Sequence, residues 1–163
     1  DLVAWLRHSG MMDETGYLEL SDGKDAFFPD HKMQISLNQR DIRQLQLAKG
    51  AIAAGIVMLC QRAGIRVEEI TRIHLAGGFG SFIRADSAID IGLLPACFTG
   101  KVSTAGNTSL RGALQVISCF KAIDQCIKIT HDAKVVDLAA ETGFQSVFAE
   151  CMLFPEEFVT VLP

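Results

Sequence analysis

The sequence lacks the paired cysteines of a metal or iron-sulfur site. Its five cysteines stand at positions 60, 97, 119, 126 and 151, and none belongs to a Cys-x-x-Cys pair. Structural zinc sites and iron-sulfur clusters usually draw their ligands from such closely spaced pairs. We therefore predict that the chain holds no metal, and that its cysteines act as small hydrophobic side chains in a reducing compartment.

Basic clusters and long apolar runs are absent as well. Lys and Arg number 15 against 19 Asp and Glu, which gives a net charge of -4, and the basic residues form no stripe. Nucleic-acid binding depends on such a stripe, so we exclude nucleic acid as a partner. No run of about 20 apolar residues and no leader with a basic start and an apolar centre is visible. We expect no membrane partner and a cytoplasmic location.

What the chain does have is a composition that supports one packed domain. It is 163 residues long and 49% hydrophobic, and no shift in composition marks an internal boundary. We predict a single domain over residues 1–163. An amphipathic repeat begins at the first residue, without a preceding cap or strand. This opening favours a fragment of a longer protein.

Strands and helices alternate along the chain. Asn38, with Asp41 three residues later, is typical of a helix start, and the long helix that follows is predicted to end at Gly64. The other predicted elements are a loop or hairpin over Glu19–His31, strands at Met33–Leu37, Arg72–Ala76, Lys101–Ala105 and Lys134–Asp137, and helices at Asp86–Gly92, Thr108–Phe120, Ala122–Ile129 and Glu141–Met152. This alternation predicts an α/β fold with parallel strand pairing.

A glycine-rich turn directly after a predicted strand is the strongest local signal. It comprises Gly77, Gly78, Phe79, Gly80 and Ser81. Glycines at such a point accept positive φ and let a ligand approach the backbone N–H groups, so phosphate or a nucleoside is the expected guest. The spacing matches neither the G-x-x-x-x-G-K-[ST] phosphate loop nor G-x-G-x-x-G. A tight turn without a ligand is the alternative.

A second turn and one lysine extend this candidate site. Gly106 and Asn107 follow another predicted strand and open another helix, so both turns would meet at the carboxyl edge of a parallel sheet, where ligands collect. Lys49 lies among alanines in the long helix and could reach a phosphate. The alternatives are that Asn107 only caps a helix and that Lys49 is solvated at the surface. No arrangement of His, Ser or paired carboxylates identifies a catalytic residue.

Five segments together resemble a known family. They are Leu2–Tyr17 with its HSGMMDETGY, Asp41–Gly55 (DIRQLQLAKGAIAAG), Ile73–Ser81 (IHLAGGFGS), Ile91–Pro95 (IGLLP) and Ala105–Ala113 (AGNTSLRGA). They resemble the C-terminal ATPase domain of the reductive activators of corrinoid proteins, in the family's order and approximate spacing. The match runs from residue 1 to about Phe154.

The resemblance implies a fold and an activity. The fold would be the second lobe of an actin-like, ribonuclease-H-like ATPase, with helices on both faces of the sheet. Such activators carry an iron-sulfur ferredoxin domain and use ATP with magnesium to help return a Co(II) corrinoid to Co(I) in methyltransferase systems. Gly77-Gly78 would be the adenosine motif, and Leu110–Ala113 would lie on the helix where two lobes meet. The implied partners are a corrinoid protein, the rest of the parent chain and a second copy.

The chain departs from the full family pattern in two respects. It has no cysteine cluster, and it lacks the Asp-x-Gly hairpin that holds phosphate and metal in the first lobe. We therefore expect this fragment alone to be inactive and to contribute adenosine and phosphate contacts to a longer enzyme. Two alternatives remain open: a partner-binding scaffold lobe without catalysis, and a different kinase or activator of the same superfamily.

Overall fold

A 25-residue helix and a parallel pair of strands organise the chain, of which the computed structural model describes residues 1–19, 26–29 and 34–158. The α-helices are α1 (Leu2–His8), α2 (Gln39–Ala63), α3 (Gly77–Phe82), α4 (Ala85–Asp90), α5 (Thr108–Ser118), α6 (Lys121–Asp132) and α7 (Phe144–Met152). The strands are β1 (Ala26–Pro29), β2 (Gln34–Leu37), β3 (Ile73–Ala76) and β4 (Val102–Gly106), and short 3-10 turns cover Val67–Glu69, Ala96–Phe98 and Leu138–Ala140.

The ends of α2 follow directly from local sequence. The Asn38 side chain accepts hydrogen bonds from the N–H groups of Arg40 at 3.0 Å and Asp41 at 3.1 Å, and the Asp41 carboxylate accepts one from the Asn38 N–H at 3.0 Å. At the other end Gly64 adopts φ +70°, a left-handed conformation that terminates the helix. The predicted start and stop are both confirmed.

The sheet contains the parallel pairing that the alternation predicted. β3 runs parallel to β4, with Ile73 opposite Val102 and Ala76 opposite Gly106, and the register shifts between Leu75 and Ala76. β1 and β2 form a separate antiparallel pair. β1 lies within the predicted loop or hairpin region, and β2 coincides with the predicted strand from position 34 to 37. The predicted strand start at Met33 and positions 20–25, 30 and 31 of the hairpin region lie outside the described residues.

One predicted strand and two predicted helix starts were wrong. The strand expected at Lys134–Asp137 is irregular, because no strand among the described residues pairs with it and Val135 is 99% exposed instead of facing a core. α4 begins at Ala85, so Asp86 lies within its first turn instead of capping it. α7 begins at Phe144, after Gly143 turns the chain with φ +87°.

Most of the buried apolar residues belong to two clusters. The first contains residues of α1 and α2 and of the segments that follow α1, α4 and α7: Val3, Ala4, Leu6, Met12, Leu18, Ile42, Ile91 and Phe154. The second lies under β3 and β4: Ala88, Ile89, Leu94 and Phe98. Leu93 packs against both clusters, and α2 serves both because Leu45 packs on the first and Ile56 on the second. The turn around Leu93 therefore connects the two halves of the core.

Within the described part of the chain, α2 alone has the length and apolar composition that could cross a membrane. In the structure it packs along α7 and buries the polar side chains of Gln46 and Lys49. These contacts are those of a core helix.

Replacing Asn38 by alanine should remove the cap of α2. Two N–H groups lose their acceptor, so we expect unfolding free energy to fall by about 1 kcal/mol. Asn38→Asp keeps a capping oxygen and serves as the control. Urea denaturation of both variants measures the effect, and equal stability of Asn38→Ala and wild type would contradict the proposed cap.

Candidate functional site

The glycines of the turn after β3 have different structural roles. Gly77 opens α3 with φ +81°, a conformation that residues with a side chain rarely adopt. A Cβ added to Gly80 would lie 2.8 Å from the backbone carbonyl carbon of Leu75, so this glycine lets α3 pack on β3. A Cβ added to Gly78 would meet nothing within 4 Å. The fold needs Gly77 and Gly80, whereas at Gly78 it leaves open space.

Gly78 faces a cavity of about 700 Å³ between α2, α3 and α4. Its lining is mainly apolar and consists of Asp1, Leu45, Ala48, Lys49, Ile52, Gly78, Phe82, Ile83, Arg84, Ser87, Ala88, Ile91 and Leu93. The volume lies in the usual range for small-molecule sites, which are mostly apolar with a few polar groups. The small residue Ala48 of α2 is part of the wall.

The remaining residues of the first turn also lie in α3. Phe79 is in the middle of the helix, and Ser81 follows it on an exposed surface. The Ser81 hydroxyl donates to the carbonyl of Gly77 at 3.1 Å, so its hydrogen is used inside the helix.

The second turn lies beside the first, as the parallel register requires. Gly106 is opposite Ala76 and has φ +66°. The Asn107 side chain accepts a hydrogen bond from the Leu110 N–H at 2.9 Å, so Asn107 caps α5. The predicted meeting of both turns at the carboxyl edge of the sheet is confirmed. The residues that line the cavity do not include Gly106 or Asn107.

Lys49 differs most from its expected arrangement. Its side chain is fully buried, and Nζ donates to the carbonyl of Cys151 at 2.9 Å and to that of Leu153. The ammonium also lies 4.7 Å from the centre of the Phe154 ring. Burial lowers the pKa of Lys49 from 10.5 to about 8, since desolvation disfavours the charged form. The expectation of an ammonium free to reach a phosphate must be corrected: Lys49 is one of the residues that line the cavity, but its ammonium donates to backbone carbonyls.

Two further buried polar side chains were missed from the sequence. Arg7 donates to the carbonyls of Met12 at 2.9 Å and Pro155 at 2.6 Å. Gln46 donates from Nε2 to the carbonyls of Thr15 at 2.9 Å and Met152 at 3.1 Å. A signal for Gln46 existed, because positions 42, 46, 49 and 53 share one helix face and the other members of that face are buried.

A buried carboxylate completes the polar interior. Asp90 is 1% exposed, and its Oδ2 lies 3.8 Å from Nε2 of His8. Nδ1 of His8 is 2.8 Å from the Ala4 carbonyl, and the ring stacks on Phe158 at 4.1 Å. Within the described residues no three His, Cys, Asp or Glu side chains group as metal ligands would.

The fold and its turns define a class: an α/β domain whose glycine turns lie at the carboxyl edge of a parallel strand pair, as in the ASKHA fold. A family model described as the C-terminal domain of RACo, the ASKHA domain, matches residues 1–163, and the chain belongs to this family.

Individual relatives agree with that assignment. The chain is 31% identical over 120 residues to the corrinoid activation enzyme RamQ of Eubacterium limosum, a match that covers 74% of this chain and 20% of RamQ. It is 28% identical over 95 residues to the [Co(II) methylated amine-specific corrinoid protein] reductase of Methanosarcina barkeri, covering 58% and 17%. The chain thus matches about a fifth of the length of these relatives.

A solved structure is similar over nearly the whole chain. The reductive activator for corrinoid, iron-sulfur protein superposes with a TM-score of 0.82 at 29% identity, covering 95% of this chain and 27% of that protein. The fold expected from the resemblance is confirmed.

The different roles of Gly80 and Gly78 can be tested by comparing the stability of variants in which each is replaced by alanine. Gly80→Ala places a methyl group against the Leu75 backbone, which cannot move aside as a flexible side chain would, so we expect a loss of about 1–3 kcal/mol. Gly78→Ala should change stability by less than about 1 kcal/mol because its methyl group enters open space. Thermal denaturation distinguishes them, and equal losses would refute this division of roles.

The lowered pKa of Lys49 predicts a pH dependence of stability. Between about pH 8 and 10.5 the unfolded chain binds this proton and the folded chain releases it, so stability rises with pH across that window. The stability difference between wild type and Lys49→Met should therefore grow in favour of wild type by roughly 3 kcal/mol at most. Lys49→Arg, which does not titrate there, should also lack the rise. A pH-independent difference in urea denaturation would contradict the shift.

Proposed function

We propose that this chain is the C-terminal nucleotide-binding region of an ATP-dependent reductive activator that reduces a Co(II) corrinoid to Co(I) in a methyltransferase corrinoid protein. The observation that carries the proposal is the cavity at Gly78, which opens beside a glycine turn at the carboxyl edge of the parallel strands. Family membership and relatives named as corrinoid activators support the wider role.

The cavity is suited to the adenosine part of ATP. Its walls from Leu45, Ile52 and Ile91 offer apolar surface to a base, and the missing Cβ of Gly78 leaves room for a close approach. Arg84 and Ser87 supply the polar groups that a ribose or phosphate needs. In this arrangement Lys49 acts as a wall residue, and Gly106 and Asn107 belong to the neighbouring turn.

Other parts of a parent protein would supply the metal and the electron. The described residues group no carboxylates for a magnesium ion, and the five cysteines do not assemble as cluster ligands. Magnesium with the ATP phosphates, and an iron-sulfur cluster, would therefore be held by a first lobe and a ferredoxin domain. This chain's own contribution is to bind and orient the nucleotide.

The activity would arise when two lobes close on ATP. Closure excludes water and changes the surface that a partner meets, so ATP binding can favour one arrangement in which an electron reaches the corrinoid. The proposed partners are the corrinoid protein, the rest of the parent chain and a second copy of it, all in the cytoplasm.

Gly78→Val tests the nucleotide role most sharply. The valine side chain would extend into the cavity, so we expect ATP affinity of the parent protein to fall by at least about 100-fold while its melting temperature stays nearly unchanged. Isothermal titration with Mg·ATP measures affinity, and the absorbance of a Co(I) corrinoid protein measures reduction.

Gly55→Ala is the control for that experiment. It adds a Cβ to α2 outside the cavity lining, where the nearest atom is 3.5 Å away, and should bind ATP normally. Unchanged ATP affinity in Gly78→Val would refute the nucleotide assignment. Tight ATP binding by the wild-type parent protein without corrinoid reduction would instead refute the role in reduction and favour the partner-binding scaffold.

A further inference from the structure

The last two residues of α7 and the three that follow form a short segment, Cys151–Pro155, which we call the strap. Four of its five carbonyls accept hydrogen bonds from buried side chains of α1 and α2. The pairs are Cys151 and Leu153 with Lys49, Met152 with Gln46, and Pro155 with Arg7. The N–H of Phe154 donates to the Glu14 carbonyl at 2.8 Å, and its ring is 3% exposed.

Two glycines allow the strap to lie this close. A Cβ added to Gly50 on α2 would lie 3.0 Å from the Met152 side chain and 3.3 Å from its backbone nitrogen. One added to Gly16 would lie 2.9 Å from the Phe154 ring. Both glycines belong to segments singled out in the sequence, and neither lines the Gly78 cavity.

The strap reaches the cavity through two connections. Lys49 is one of the residues that line the cavity, and its ammonium donates to two carbonyls of the strap. Pro155 packs on Gly92, where a Cβ would lie 3.1 Å from the proline ring and 3.3 Å from Nζ of Lys49. The neighbours of Gly92 on both sides, Ile91 and Leu93, are cavity walls. The strap thus contacts two walls of the cavity, the α2 wall through Lys49 and the wall formed by Ile91 and Leu93 through Gly92.

We propose that the strap is a latch that sets the shape of the Gly78 cavity, with Lys49 as the positioning residue that couples the two. When the strap detaches, Lys49 loses its acceptors and the Gly92 turn loses Pro155, so both walls are released. The identity of the ligand rests on the nucleotide role proposed above, whereas the coupling of strap and cavity does not.

This coupling has a thermodynamic consequence. If a ligand binds only when the strap is attached, its binding lowers the equilibrium constant for detachment of the strap by the factor 1 + [L]/Kd. Backbone N–H groups of the strap that exchange through local detachment should then exchange about 100-fold more slowly with ligand at 100 times its Kd.

Hydrogen exchange in the intact parent protein tests the latch. The reporters are the N–H groups of Leu153 and Phe154 in the strap and of Gly92, Leu93 and Leu94 behind the cavity, all of which are hydrogen-bonded. Gly50→Ala should speed exchange in both sets together by about tenfold to 100-fold. The N–H of Ile73, bonded to the Lys101 carbonyl in the sheet, should change much less.

The matched control is Gly55→Ala, on the same helix, where the added Cβ makes only ordinary contact. It should leave both reporter sets unchanged. Faster exchange at the strap alone, unchanged exchange at the strap, or an equal increase at Ile73 would each overturn the latch. If Gly50→Ala does not fold, Gln46→Met replaces it, because it removes one donor to the strap and also lies outside the cavity lining.

Mg·ATP then separates the two proposals. Its binding is measured independently by titration, and absence of binding to wild type refutes the nucleotide role while the exchange experiment still decides the latch. If ATP binds, it should slow exchange at Leu153 and Phe154, less so in Lys49→Met, with Lys49→Arg restoring part of the effect. ATP binding without slower exchange at the strap would overturn the latch alone.

Discussion

The burial of one ammonium group beneath two backbone carbonyls shapes the rest of this structure. Lys49 is fully enclosed, and the carbonyls of Cys151 and Leu153 are its acceptors. Desolvation of a charge is costly, but these carbonyls lie at the C-terminal end of α7, where the helix dipole is negative and intrahelical partners run out. The Phe154 ring adds a cation–π contact. A cation is thus placed where a helix end needs one, and it fixes α7 on α2.

The two hydrophobic clusters depend on that attachment. Phe154 belongs to the first cluster together with Ile91, and the Gly92 turn leads on to Leu93, which packs against both. The strap therefore contributes Phe154 to the first cluster, and its Pro155 packs on the Gly92 turn that leads to the second cluster. By contrast, the parallel strands and α5 contribute little to this region. Three apolar side chains of α5 are exposed (Leu110 56%, Leu114 54%, Ile117 80%), so covering them would be favourable.

Features with local causes could be predicted from the sequence, and features made by distant backbone groups could not. The cap at Asn38, the stop at Gly64 and the glycine turn after β3 depend on residues within a few positions of each other. The ammonium of Lys49, in contrast, binds carbonyls about a hundred residues away. Every residue has a carbonyl, so no side-chain pattern records which one is an acceptor. The strand expected at Lys134–Asp137 failed for a related reason, since a partner strand is never visible locally.

Glycine illustrates the same limit at the candidate site. In the sequence Gly50, Gly78 and Gly80 look alike, each lying in a small-residue segment that could face a ligand. In the structure the Cβ positions of Gly50 and Gly80 are occupied by other parts of the chain, whereas that of Gly78 opens into the cavity. A glycine whose Cβ position is already filled is explained by packing. Packing does not explain Gly78, because a Cβ there would meet no other atom and the residue lies at the wall of a cavity of about 700 Å³. The functional argument therefore depends on Gly78 and not on Gly80.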